Sequence, residues 1–161
     1  MWAKQKQSGF TIVELLIVIV VIAILAAVTI TAYNGIQERA KVSKVQQDLK
    51  SMQRLIELYK SEHDVYPSTG GAWSYSYSSP DGFIPSVVPT YANSLPRFTA
   101  DQVVNSGHCY VYNSNGTNYK LIRLGQPSLS SAEQALIPTA MKDQYNGSDR
   151  YGVWSTGGSG F

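Results

Sequence analysis

The stretch Ser8-Gly9-Phe10-Thr11-Ile12-Val13-Glu14-Leu15 runs straight into an apolar block, Leu15 to Val28, of fourteen unbroken residues. Ile30 and Ala32 carry the block past Thr29 and Thr31, and Glu14 is the only ionisable side chain between Phe10 and Ala32. A helix rises ~1.5 Å per residue, so about twenty such residues cover the ~30 Å of a bilayer's hydrocarbon. The segment is long enough to span a membrane, although the chain's averages, 15% charged residues and a mean hydropathy of −0.14, are those of a soluble protein. A cleaved secretory signal would follow its apolar core with small residues and a loop. Ala26, Ala27 and Ala32 are small, but the helical pattern continues through them. An ordinary membrane anchor leaves Glu14 unexplained, because a carboxylate deep in a bilayer costs roughly 2.5 kcal/mol or more.

A third reading accounts for the carboxylate. A short basic leader, a Gly9-Phe10 step, Glu14 four residues later and the apolar helix together resemble the processing site of type IV pilins and type II secretion pseudopilins. The resemblance implies cleavage between Gly9 and Phe10 by a membrane-embedded prepilin peptidase, which also N-methylates the new N-terminal Phe10. Such a cut creates an α-amino group about one helical turn from Glu14, a spacing at which ammonium and carboxylate can neutralise each other. In a filament, the resemblance implies that the carboxylate meets the amine of a neighbouring subunit. An unpaired charge in a low-dielectric core is strongly disfavoured, so the pairing of Phe10 with Glu14 would select one axial register. Glu14 resting among lipid headgroups is the blander alternative.

Lys4 and Lys6 set the topology, since basic residues stay on the cytoplasmic side. The leader faces in and the remainder faces out. Removing residues 1–9 also removes both lysines, taking 13 basic and 11 acidic side chains to 11 and 11. The near-neutral mature chain gives no electrostatic reason to bind nucleic acid specifically, and the pI near 8.6 belongs to the precursor.

Past the apolar half, Val42, Val45, Leu49, Met52, Ile56 and Tyr59 recur at alternating steps of three and four, with Leu55 and Leu58 widening the stripe. That period predicts an amphipathic helix from about Gly35 to Glu62, packed on a small globular region. Joined to the apolar half, it makes a helix of about fifty residues, on the order of 75 to 80 Å. Asn34 and Gly35 interrupt the join, and a glycine costs ~1 kcal/mol inside a helix, so a bend or local loss of helix is expected there. Many members of the resembled family carry a proline within the apolar half; Thr29, Ile30 and Thr31 stand in that region here.

From 63 to 161 the composition shifts to turns and β-prone runs. Pro67, Gly70, Gly71, Pro80 and Gly82 mark a long connection carrying Trp73, Tyr75 and Tyr77, aromatics expected to serve as packing. Cys109 to Tyr112 and Tyr119 to Leu124 flank the loop Asn113 to Asn118, whose Asn115-Gly116 pair signals a hairpin. Ser130 with Glu133 three residues on opens a short helix that Pro138 ends or kinks. Tyr151 to Trp154 is a candidate last strand, and Thr156 to Phe161 a flexible tail. The expected fold class is α+β and pilin-like: a long N-terminal helix on an antiparallel sheet of three to four strands. The divisions are a leader at 1–9, a transmembrane and filament-core helix at 10–34, its amphipathic continuation at 35–62, and a globular region at 63–161.

No catalytic constellation is present, so the chain is expected not to be an enzyme and to need no cofactor. His63 and His108 have no ligand-type spacing, and Asp81, Asp101, Asp143 and Asp149 are scattered through loops without EF-type spacing, so no metal site is assigned. Cys109 is the sole cysteine, which excludes an intrachain disulfide. Asn115-Gly116-Thr117 and Asn146-Gly147-Ser148 match the glycosylation sequon, but turns use the same residues. The first functional expectation is a type IV pilin-like structural subunit of an extracellular filament, supporting adhesion, motility or DNA uptake. The alternative is a pseudopilin of a type II secretion or competence system, or a minor, tip-located binding pilin. The resemblance implies as partners other copies of the chain, the prepilin peptidase and methyltransferase, an inner-membrane assembly platform with its ATPase, and membrane lipid before assembly. It implies a single-pass membrane protein that then moves into an extracellular pilus or pseudopilus.

Overall fold

The computed structural model describes residues 9–125, 129–143 and 150–161. Contacts divide the chain into two compact units, one ending at Glu38 and one running Arg39–Phe161. Helix α1, Ile12–His63, contributes to both. Its helical assignment runs unbroken through Asn34 and Gly35, so the local loss of helix expected there is corrected. Propagating a helix adds a hydrogen bond for each residue fixed, and one glycine's ~1 kcal/mol does not stop a helix already nucleated on both sides.

In the second unit α1 lies on a four-stranded sheet of order β1-β2-β3-β4, all neighbours antiparallel. The strands are β1 Ser74–Tyr75, β2 Cys109–Ser114, β3 Tyr119–Leu124 and β4 Tyr151–Trp154. Val42, Val45, Leu49, Met52 and Ile56, five of the six stripe residues, are buried, while Tyr59 is half-buried. The period-two alternation of the strands turns Tyr110, Tyr112, Tyr119 and Leu121 toward them, and Phe83, Ile84, Val87 and Leu95 from the long connection close the same core. Each such side chain contributes roughly 1.5–3 kcal/mol by leaving water. This inner face is rich in tyrosine, and three of the hydroxyls find an acceptor at the stripe's edge or in the connection. Tyr110 donates to Asp48 Oδ2 at 2.7 Å, Tyr112 to the Pro67 carbonyl at 2.8 Å and Tyr119 to Glu57 Oε1 at 3.2 Å. Burial first, and then the bond to Asp48, push the Tyr110 hydroxyl well above the ordinary tyrosine value.

The hairpin is tighter than expected. Asn113 and Ser114 pair with Lys120 and Tyr119, leaving Asn115–Asn118 as the loop, with Gly116 at φ 87°. Two short helices flank the sheet. Ser130 and Glu133 form the reciprocal cap expected of them at the start of α3, Ser131–Leu136, which ends before Pro138. Helix α2, Ala100–Ser106, is closed by a matching Thr99–Gln102 box and by Gly107 at φ 57°.

The tail departs from the flexible segment expected. A 3-10 turn forms at Gly158–Gly160, and a Cβ on buried Gly158 would overlap the Tyr119 carbonyl. Lys120, 1% exposed, holds the tail through its Nζ, which donates to the backbone oxygens of Ser159 at 3.3 Å and Phe161 at 2.9 Å, and to Asp143 Oδ1 at 2.9 Å. A buried ion pair stabilises little as a unit, but removing one partner strands the other charge. Lys120→Met is therefore expected to cost about 3–5 kcal/mol, and Lys120→Met with Asp143→Leu to recover much of the loss. Thermal unfolding of the detergent-solubilised chain, followed by near-ultraviolet circular dichroism, reads both; equal destabilisation in the two variants would refute the account.

Candidate functional site

The first unit contains the apolar half of helix α1. Every large apolar side chain named from Ile12 to Ile36 is exposed, from 47% at Val20 to 85% at Ile12. This helix is long and apolar enough to cross a membrane. Thr29 is compatible with that, because its hydroxyl donates to the carbonyls of Leu25 and Ala26, both at 3.0 Å, and needs no outside acceptor.

At the start of α1 the candidate residues stand in the open. Phe10 is 88% exposed, and a Cβ built on Gly9 meets nothing within 4 Å. The fold therefore makes no demand for glycine at position 9. Glu14 is engaged locally: its Oε2 accepts the Thr11 backbone N–H at 2.8 Å and the Thr11 hydroxyl at 2.7 Å, while the Glu14 N–H donates to Thr11 Oγ1 at 3.2 Å. Thr11 and Glu14 are the N-cap and N3 of a capping box, which satisfies donors that the first helical turn leaves without partners. In the uncleaved chain Phe10 contributes a peptide nitrogen, so Thr11 is the partner that Glu14 has before any cut. The Thr-Ile-Val-Glu spacing announces this cap in the sequence, beside the charge that the glutamate carries. Lys4 and Lys6 lie outside the described residues.

Elsewhere two of the aspartates singled out above have structural partners. Asp81 binds Arg97 at 3.0 Å and the Leu95 N–H at 3.0 Å, and Asp143 is the buried partner of Lys120. Among the described residues no group of three or more His, Cys, Asp or Glu could hold a metal ion. His108 Nε2 faces Arg123 Nη2 at 2.5 Å and its ring lies 5.3 Å from that of Phe98. Cys109 is buried on the outer face of the sheet, and burial pushes its thiol up to about 11, leaving almost no reactive thiolate at neutral pH. Of the three connection aromatics, Tyr75 packs against the outer cluster of Cys109, Val111 and Ile122, while Trp73 and Tyr77 are exposed, so the packing role expected of all three holds for one. Asn115 uses its Oδ1 to accept the N–H groups of Thr117 and Asn118, as a turn residue does. Asn146-Gly147-Ser148 and Asp149 lie outside the described residues.

Comparison with known proteins bears on the N-terminal segment. The prokaryotic N-terminal methylation motif matches residues 4–30. Type II secretion system core protein G of Pseudomonas aeruginosa is 35% identical over 66 residues, 41% of this chain and 46% of that protein. The Escherichia coli K12 protein of the same name is 35% identical over 69 residues, 43% of this chain and 48% of that one. The Vibrio cholerae protein is 34% identical over 65 residues, 40% and 44% of the two chains. The chain thus spans about half the length of the curated relatives it matches. No solved structure matches it.

Proposed function

We propose that this chain, whose N-terminal segment is that of the type IV pilin and pseudopilin family, is a pseudopilin-type subunit: a structural protein that leaves the membrane by polymerising through α1. The likeness to secretion-system proteins supports the pseudopilin over the surface-pilus subunit expected first from the sequence. The observation that carries the reading is the bare apolar half of α1. Side chains exposed along its length are unstable in water and need either lipid or other apolar helices. A bilayer holds such a helix before assembly, and copies of the same helix hold it afterwards.

In this reading a prepilin peptidase cuts between Gly9 and Phe10, the amine of Phe10 is methylated, and Lys4 and Lys6 keep the leader cytoplasmic until the cut. Glu14 then exchanges Thr11 for the amine of a neighbouring Phe10, giving assembly one register. The role is structural, with no catalytic step. An in-frame deletion, complemented in trans, tests it. Secreted enzymes should accumulate inside the deletion strain while surface pili persist. Lost pili, adhesion or twitching with export intact would support the pilus subunit instead.

A further inference from the structure

The outward face of α1 in the second unit has an uneven distribution of charge. Arg39, Lys41, Lys44, Lys50 and Arg54 are all exposed, and among the described residues their side chains carry no ion pair or hydrogen bond. The opposite sign gathers at the far end. Glu62 and Asp64 are exposed, and the Glu62 carboxylate is held in place by the Tyr91 hydroxyl at 2.6 Å, a neutral partner that leaves its charge uncompensated. Glu57 is already shared by the hydroxyls of Tyr119 and Tyr66 at 3.2 and 3.4 Å. An open groove on this face is lined by Lys50, Gln53, Arg54, Glu57 and Leu58, and Leu58 is 45% exposed within it.

We propose that the face of α1 from Lys50 to Glu62 is a docking surface for a second copy of this chain, with Lys50 and Arg54 of one subunit against Glu62 of the next. The inference rests on the polymerising role argued above and adds a surface and a register to it. Helices that leave one membrane run parallel, and side by side without a shift they would set cations against cations. Glu62 stands eight residues beyond Arg54 and twelve beyond Lys50, so a shift of roughly 12–18 Å brings opposite charges level. That shift belongs to a neighbour further along the filament than the one whose Phe10 meets Glu14 at a shift of about 6 Å. At about 100° per residue Glu62 also points roughly 80–120° away from the two cations around the helix axis. Each subunit therefore offers its cations to one neighbour and its acid to another. Such a contact is heterologous, and it propagates into an open helical filament instead of closing as a dimer. Exposed pairs contribute little energy singly, so their effect is on register and partner choice, while the apolar half supplies the affinity.

A zero-length carbodiimide link between lysine amines and carboxylates reads the contact directly. Lys50 and Glu62 of one helix are roughly 18 Å apart, beyond the reach of such a link, so a Lys50–Glu62 crosslink must join two chains. Treated membranes and sheared cell surfaces of the native strain should give a dimer band whose peptides carry that link. Glu62→Gln, which keeps a hydrogen-bond acceptor for Tyr91, should lower its yield at least tenfold, as should Lys50→Gln. Arg54→Glu should reduce it severalfold, and Arg54→Glu with Glu62→Arg should return assembly to within threefold of the native chain. Dimer bands lacking the Lys50–Glu62 link would overturn the proposal, as would a double swap no better than its parents. So would lysine-dependent sedimentation with phosphatidylglycerol vesicles in place of any link, which would mark the cations as a lipid contact. The link formed without filaments or an export defect would instead remove the functional reading and keep the surface.

Discussion

Replacing Glu14 by glutamine is expected to remove filaments while leaving the subunit inserted, cleaved and at its normal level. The capping box makes this substitution more telling than a loss of charge alone. Glutamine serves as well as glutamate at N3, accepting from the Thr11 N–H through its amide oxygen, so the first turn of α1 stays capped. What disappears is the negative charge. Glu14→Leu should also abolish filaments, yet it enters the membrane more readily because no ion is buried. Thr11→Val is the converse: it removes the hydroxyl from the cap at about 0.5–2 kcal/mol of helix-start stability and keeps the carboxylate, so filaments should persist. Mass spectrometry of the N-terminus, subunit immunoblots and electron microscopy of sheared material separate processing, level and assembly. Filaments at native abundance from Glu14→Gln, with Thr11→Val defective, would assign Glu14 to the cap and end the charge-pair mechanism.

Gly9→Arg should block processing outright. Open space surrounds position 9, so an added side chain costs the fold nothing, and any effect must arise where another protein grips the backbone. The precursor should stay in the membrane with residues 1–9 and both leader lysines attached, and no filament should form. Gly9→Ala adds a single methyl and should be cut more slowly than the native chain. Intact-mass measurement of the membrane fraction decides it: a Gly9→Arg chain beginning at Phe10 would contradict the assignment of this glycine to the peptidase.

The elements that the sequence made readable are those whose pattern repeats. The stripe from Val42 to Ile56 was legible because burial on one helix face imposes its own period, and β3 and β4 because β-prone runs end at turn residues. Strand β1 was not, since two residues held by main-chain pairing to Val111 and Tyr112 leave no side-chain period. Lys120 misleads for a different reason. Alternation puts it on the outer face, where a lysine normally meets water, but Asp143 and the tail cover that spot from distant parts of the chain. At the candidate site, Gly9, Phe10 and Glu14 were legible as a motif. Thr11 was passed over, although Thr99–Gln102 and Thr11–Glu14 obey the spacing that revealed Ser130–Glu133.

The seclusion of Cys109 makes the subunit optically addressable. With its single thiol shielded on the outer sheet face and held protonated, the native chain is expected to react little with maleimide dyes at neutral pH. A cysteine introduced at an exposed site such as Ser94 would be the one fluorescent position per subunit. Assembly of the proposed filament could then be followed in living cells by light, with the unmodified chain as its own dark control.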